Sequence, residues 1–209
     1  GTVTKVKVEY MLDGSNWLPL PAAQSGSVTD NNGIINSNPG TLTWAMPSAK
    51  SNNGFLAKVR VSAGLADNSA DTVTSGSSPN FFKLAAKITV SSADGENSPL
   101  WKVGEIDKVI TWSTIPANLG GTNEVTLWYK VGAGLWTQIG SATGNDGTQP
   151  WNPIPDTVSN SILVRVDDNS DADGTDQSNA IFSIAGNLTL TSLLGGDESF
   201  VYASTPAAL

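Results

Sequence analysis

Apolar and polar residues alternate strictly along VTKVKVEY (3–10) and EVTLWYKV (124–131), the period of a strand with one buried face. FLAKVRVSA (55–63), AKITVSS (86–92), KVITWS (108–113), SILVRVD (161–167) and NLTLTSL (187–193) also read as strands. Asp-Gly or Asn-Gly pairs at 13–14, 32–33, 53–54, 94–95, 146–147 and 173–174 place hairpin turns between such segments. No convincing 3.6-residue apolar stripe accompanies them. The pattern predicts an all-β chain of short antiparallel strands, folded as a sandwich.

The pattern also repeats. VKVEYMLDGSNWLPL (6–20) matches VTLWYKVGAGLWTQI (125–139), aligning Tyr10 with Tyr129 and Trp17 with Trp136. PGTLTWAMP (39–47) matches DGTQPWNPIP (146–155), aligning Trp44 with Trp151. AKVRVSA (57–63) matches LVRVDD (163–168), and NFFKLAAKITVSS (80–92) matches AIFSIAGNLTLTS (180–192). The period near the end is about 100 residues, the size of one immunoglobulin-like sandwich. The expectation is therefore tandem Ig-like antiparallel β-sandwiches. Residues 1–86 read as a unit lacking its opening strands, 87–185 as a complete unit, and 186–209 as the first strand of a following unit. Ala85-Ala86 and Ala185-Gly186 mark short junctions, which suit a semi-rigid rod cut from a longer array.

Composition narrows the chemistry. With no cysteine and no histidine, disulfide scaffolds, thiolate or imidazole zinc sites and Ser-His-Asp or Cys-His catalysis fall away. A net charge of -8 and a pI near 4.3 disfavour nucleic acid and anionic membranes as partners and favour divalent cations. No apolar run is long enough for a transmembrane segment, and no signal peptide is seen.

The order of motifs resembles the Ig-like repeat of secreted Ser/Thr-rich cell-surface and cell-wall proteins, including bacterial surface proteins and the fungal glucan-assembly domain. The opening motif is carried by Gly95-Glu96, Trp101, Val103-Gly104 and Ile110-Thr111-Trp112, and the hairpin by Asp13-Gly14 and Trp17. Asn145-Asp146-Gly147, Trp151, Pro155, Val164-Arg165-Val166 and Phe182 carry the rest. The second unit departs at its hairpin, where GAG (132–134) replaces the family's DGG, and the first by a long insertion at roughly 20–36. The resemblance implies a β-sandwich and an extracellular role, and no enzyme activity.

Three kinds of candidate residue remain. The seven tryptophans read either as a sugar-stacking platform or as core and hairpin pins, and repeat spacing favours the core. Trp101, among Asn97, Ser98 and Pro99, is the one expected to be partly exposed. The glutamates Glu9, Glu96, Glu105, Glu124 and Glu198 are scattered, so solvated carboxylates are expected rather than a glycosidase pair. Asn187-Leu188-Thr189 is a glycosylation sequon by pattern.

DDNSDADGTD (167–176) is the densest chemistry, with five aspartates in ten positions. Asn169, Asp171 and Asp173 fall at the first, third and fifth positions of a calcium loop, with Gly174 at the sixth and the Thr175 carbonyl next. Ala180 stands where the twelfth-position glutamate belongs, so Asp167, Asp168 or Asp176 would have to substitute. The competing reading is a charged hairpin with Asx-turns. The calcium expectation is a weak site at Asp168, Asn169, Asp171, Asp173, Thr175 and Asp176, with Ca2+ as the one cofactor.

These readings converge on a non-enzymatic structural repeat of a secreted cell-surface or cell-wall protein, an S-layer-type coat or a stalk. Its partners would be neighbouring copies, adjacent repeats or cell-surface polysaccharide. The alternative is a carbohydrate-binding or adhesin module of a surface protein or secreted hydrolase. The strand at 187–193 is further expected to pair with the open sheet edge of another molecule's first unit.

Overall fold

The computed structural model describes residues 3–24, 28, 32–37, 41–51, 56–64, 70–92 and 100–188, with only the backbone at 70–74. The chain is all-β, built from several mainly antiparallel sheets. The expected turns at 53–54 and 94–95, residues 189–193 of the expected strand 187–193, and Glu96 and Glu198 lie outside the described residues.

The first half contains β1 (Val6–Met11), β2 (Leu18–Pro19), β3 (Ile34–Ile35), β4 (Lys58–Gly64) and β5 (Ala70–Ser77). They form one five-stranded sheet in the order β2-β1-β4-β5, with β3 also on β1. A short 3-10 turn, Ala22–Gln24, follows β2. Asp13 builds the β1–β2 turn by accepting the amides of Ser15 at 2.9 Å and Asn16 at 2.7 Å. These bonds favour the ionised form and hold its carboxyl well below the usual carboxylate range. Gly14 takes the left-handed backbone, φ 82°, that the turn requires.

The second half contains β6 (Lys87–Val90), β7 (Leu100–Lys102), β8 (Val109–Ile115), β9 (Glu124–Val131), β10 (Thr137–Gln138), β11 (Thr143–Gly144), β12 (Thr148–Pro150), β13 (Ser159–Asp168), β14 (Thr175–Gln177) and β15 (Phe182–Ala185). A seven-stranded sheet runs β10-β9-β13-β15-β7, with β11 also on β9 and β14 also on β13. A three-stranded sheet runs β12-β8-β6. The two share one core, into which Ile88, Val90, Ile110 and Trp112 project from one sheet and Val125, Leu127, Val164, Val166 and Phe182 from the other. This is a sandwich-like arrangement. The alternation read from the sequence is the cause: Ile162, Val164 and Val166 are each 0% exposed, at every second position of β13.

One pairing departs from the antiparallel expectation. β7 lies parallel to β15, with Leu100 opposite Ser183 and Lys102 opposite Ala185. The chain has crossed from the three-stranded sheet, where β6 lies, to the edge of the other. Three residues are too few for a visible period, so this strand leaves no sign in the hydrophobic pattern.

Matched sequence positions occupy matched places in the two halves. Tyr10 faces Leu18 and Val59 as Tyr129 faces Thr137 and Val164. Leu20 donates to the Val8 carbonyl as Ile139 does to that of Leu127, at 3.0 and 2.8 Å. Ser78 and Ser178 each donate an amide to Val59 and Val164, and their hydroxyls accept the amides of those same valines. Ala57 bridges Phe82 as Ile162 pairs with Phe182. The first half has its own smaller cluster of Val6, Val8, Leu20, Val28 and Ile35, with Tyr10, Leu42, Trp44 and Val59 packed against it. Val28, inside the insertion after β2, is 5% exposed and joins that cluster.

Candidate functional site

The acidic hairpin between β13 and β14 is built on an inward-facing aspartate. β13 directs Ile162, Val164, Val166 and then Asp168 to the same side, and Asp168 is 4% exposed. The hairpin closes by Asp171 N–H to Asp168 O at 3.2 Å, Gly174 N–H to Asp171 O at 2.9 Å and Asp168 N–H to Gly174 O at 2.7 Å. A Cβ at Gly174 would sit 2.9 Å from that of Asp168, so the turn packs directly on the buried carboxylate.

A buried carboxylate requires a cation or several donors. Here the cation comes from the other half of the chain. Lys50 Nζ donates to Asp168 Oδ2 at 2.6 Å and to Ser170 Oγ at 2.6 Å. Ser170 in turn gives its amide, at 2.8 Å, and its hydroxyl, at 2.7 Å, to Asp168 Oδ1. Beside them Lys83 Nζ donates to Asp171 Oδ1 and, at 2.6 Å, to Asp173 Oδ2. The Lys50, Asp168 and Asp171 side chains are only 14%, 0% and 7% exposed, whereas that of Asp173 is 66% exposed. The two lysines stand together because their chain neighbours are tied. Ser51 N–H donates to Leu84 O at 3.0 Å, and Leu84 N–H returns to Ser51 Oγ at 3.2 Å. The result is an ionic clasp between the segments of the first half at 50–51 and 83–84 and one hairpin of the second half.

Electrostatics agree with the geometry. Burial pushes the Asp171 carboxyl up, but the Lys83 hydrogen bond, the Asp173 amide and the charges of Lys83 and Lys50 outweigh it, and the group ends below the usual carboxylate range. The hydrogen bonds to Asp171 and Asp173 raise Lys83 above its ordinary value.

The six residues expected to hold calcium therefore divide. Asp168, Asp171 and Asp173 converge on the two lysines. Asn169 instead accepts the Thr126 hydroxyl at 2.5 Å, and the Thr175 hydroxyl donates to Asp167 at 2.6 Å. Asp176 turns toward the other sheet and accepts the Val90 amide at 2.8 Å. Among the described residues, no group of three or more acidic side chains converges to hold a metal ion. Lys50 and Lys83 were not singled out from the sequence. The available signal was strand parity: Asp168 continues the inward series of β13 and so needed a cation from elsewhere.

The tryptophans divide as well. Trp101, Trp112 and Trp151 are buried in the second core at 7%, 4% and 5% exposure. For Trp101 this corrects the expected exposure. It points inward between exposed Leu100 and Lys102, and its ring centroid lies 4.7 Å from that of Phe182 and 5.8 Å from that of Trp151. Trp17, Trp128 and Trp136 lie against cations instead. Arg60 covers Trp17 at 4.4 Å, and Arg165 lies 4.5 Å from Trp136 and 5.5 Å from Trp128. Lys130 lies 4.6 Å from Trp136. Of the glutamates, Glu9 departs from the solvated expectation: it is 7% exposed and accepts Arg60 Nε at 2.9 Å and a second Arg60 nitrogen at 2.5 Å. Glu105 caps the turn after β7 by accepting the Lys102 amide at 2.8 Å. Asn187 is exposed.

No protein-family model matches the chain, and no curated protein matches it. No helix among the described residues is long and apolar enough to cross a membrane.

Proposed function

We propose that the chain is a non-enzymatic structural repeat of a large secreted cell-surface protein, forming an S-layer-type coat or a surface stalk from tandem Ig-like sandwiches. The observation that carries this reading is the clasp. Two lysines of the first half and three aspartates of the hairpin fix one half against the other. An array that carries tension needs that restraint, and a flexibly linked accessory domain does not. The matched registers of the two halves support the tandem arrangement, and the motif order supports kinship with Ig-like surface repeats. Neighbouring copies or adjacent repeats are the natural partners. Burial of Trp101, Trp112 and Trp151, with cations against Trp17, Trp128 and Trp136, favours this reading over an adhesin built on an exposed tryptophan platform.

Calcium would act on the same loop, and there it must displace or join lysine ammonium groups already paired with the carboxylates. Thermal melts in EDTA and in millimolar calcium separate the two counter-ions. An unchanged midpoint assigns the loop to the lysines, and a rise in calcium restores the metal. For the function itself, antibodies to the chain should label intact source cells as a continuous layer or as filaments. Labelling that appears only after permeabilisation would refute a surface coat.

A further inference from the structure

We propose that the flank of the second half holds a binding site for a neutral sugar unit, a role that goes beyond the structural repeat. β10 and β12 are outermost in their respective sheets. A cavity of about 310 Å3 opens there, lined among others by Tyr129, Gln138, Gln149, Trp151, Asn152 and Pro153. This volume is at the lower end of small-molecule sites, roughly 300–1,000 Å3.

Three features of the lining select the ligand. Among the described residues no charged side chain lines the cavity, in a chain of net charge -8, so an ionic ligand finds no counter-charge there. Gln138, Gln149 and Asn152 each carry an amide with two donors and one acceptor oxygen, the complement of hydroxyls that both donate and accept; Gln149 Nε2 also donates to the Pro150 carbonyl at 3.3 Å. The half-buried Tyr129 ring, backed by buried Trp151 with centroids 4.9 Å apart and a 45° tilt, supplies the apolar wall that the C–H face of a pyranose ring can cover. β10 has two residues and β12 three, too short a ladder to hold an extended peptide as an added strand.

The first half supplies an internal control. It keeps the aromatic pair, Tyr10 and Trp44, with centroids 5.4 Å apart. Under the shared register Pro19 stands in place of Gln138. Counting from the matched tryptophans, Leu42 stands in place of Gln149 and Ala45 in place of Asn152. Leu42 packs against the first-half core cluster. The aromatic pair therefore belongs to both halves, whereas the three amides are specific to one.

The test is an NMR titration of the 15N-labelled chain with the methyl glycosides of glucose, galactose, mannose and N-acetylglucosamine. At least one sugar should give saturable shifts at the Trp151 indole N–H and at the Gln138, Gln149 and Asn152 side-chain amides. The double variant Gln149→Leu/Asn152→Ala installs the first-half residues and should keep the melting midpoint of the parent. It should bind about tenfold more weakly, the loss expected for one or two neutral hydrogen bonds. No saturable shift with any of the four sugars, or shifts unchanged in the variant, overturns the proposal. A proline-rich peptide that moves the same resonances where the sugars do not also overturns it. Because these readouts are local, they are independent of whether the chain belongs to a surface coat.

Discussion

Replacing Lys50 by methionine keeps the length of the side chain and removes the cation from a carboxylate that cannot reach water. Asp168 is 4% exposed, and its remaining donors among the described residues are the amide and hydroxyl of Ser170. Breaking a buried pair by removing one partner costs about 3–5 kcal/mol. The two Ser170 bonds persist, so Lys50→Met should lie at the low end, about 3 kcal/mol. In a chain of this length that is a fall of roughly 6–12 °C in melting temperature. Asp168→Asn should cost less, about 1.5–3 kcal/mol, the range for a lost hydrogen bond to a charged group. With both changes no charge is stranded, so the double variant should be less destabilised than the sum, by about 2 kcal/mol. The assay is urea unfolding at pH 7, since an uncharged denaturant leaves the ion pair unscreened. Tryptophan emission and circular dichroism should be followed together. A coupling energy below about 0.5 kcal/mol, the range of independent sites, would refute the clasp. So would a Lys50→Met variant as stable as the parent.

The Lys83 arm sets a pH window. Asp171 is held below its ordinary value, so its contribution is present above about pH 4 and is lost as pH falls through the lower native value. Lys83 is raised, so its contribution is present below about pH 10 and is lost as pH rises through the higher native value. The melting difference between parent and Lys83→Met should thus be flat from about pH 5 to pH 9 and shrink at both extremes, and a difference absent at pH 7 contradicts the pairing. Trp101→Ala should cost about 3–5 kcal/mol in urea as a core deletion, and Trp17→Ala, on the cation-stacked face, less than about 1 kcal/mol; equal costs would reverse the inward and outward assignment. Gly33 has φ +75°, and a Cβ there would meet the Val8 carbonyl oxygen at 2.2 Å. Gly33→Ala should therefore destabilise the first half by more than the ~1–2 kcal/mol of the left-handed backbone alone, and an unchanged thermal midpoint would show that the strand pairing there is different.

What could be read from the sequence was local. The alternation of VKVEYM and of SILVRVD, and the turn at Asp13-Gly14, depend on neighbours a few residues apart, and they appear as β1, β13 and the β1–β2 hairpin. The matched tyrosines and tryptophans could be aligned because packing repeats where spacing repeats. The clasp was hidden for the opposite reason: Lys50 and Lys83 lie 118 and 88 residues from Asp168 and Asp171. A five-aspartate run read alone asks for a metal ion, and only the fold reveals that lysines from another segment are already there. The alternating series Trp128, Lys130 and Leu163, Arg165 did contain a further clue. These positions share strand parity with outward residues such as Thr126 and Asp167, and parity alone would have moved Trp128 out of the core.

The parallel placement of β7 bears on how this chain would respond to being pulled. β15 is flanked by β13 on one side and β7 on the other, and the chain leaves the sheet at Ala185. Tension drawn along the axis of β15 meets the hydrogen bonds of both neighbours side by side, so they must shear together rather than open singly like a zipper. Three residues added at a sheet edge thereby double the number of ladders resisting extraction of the exit strand.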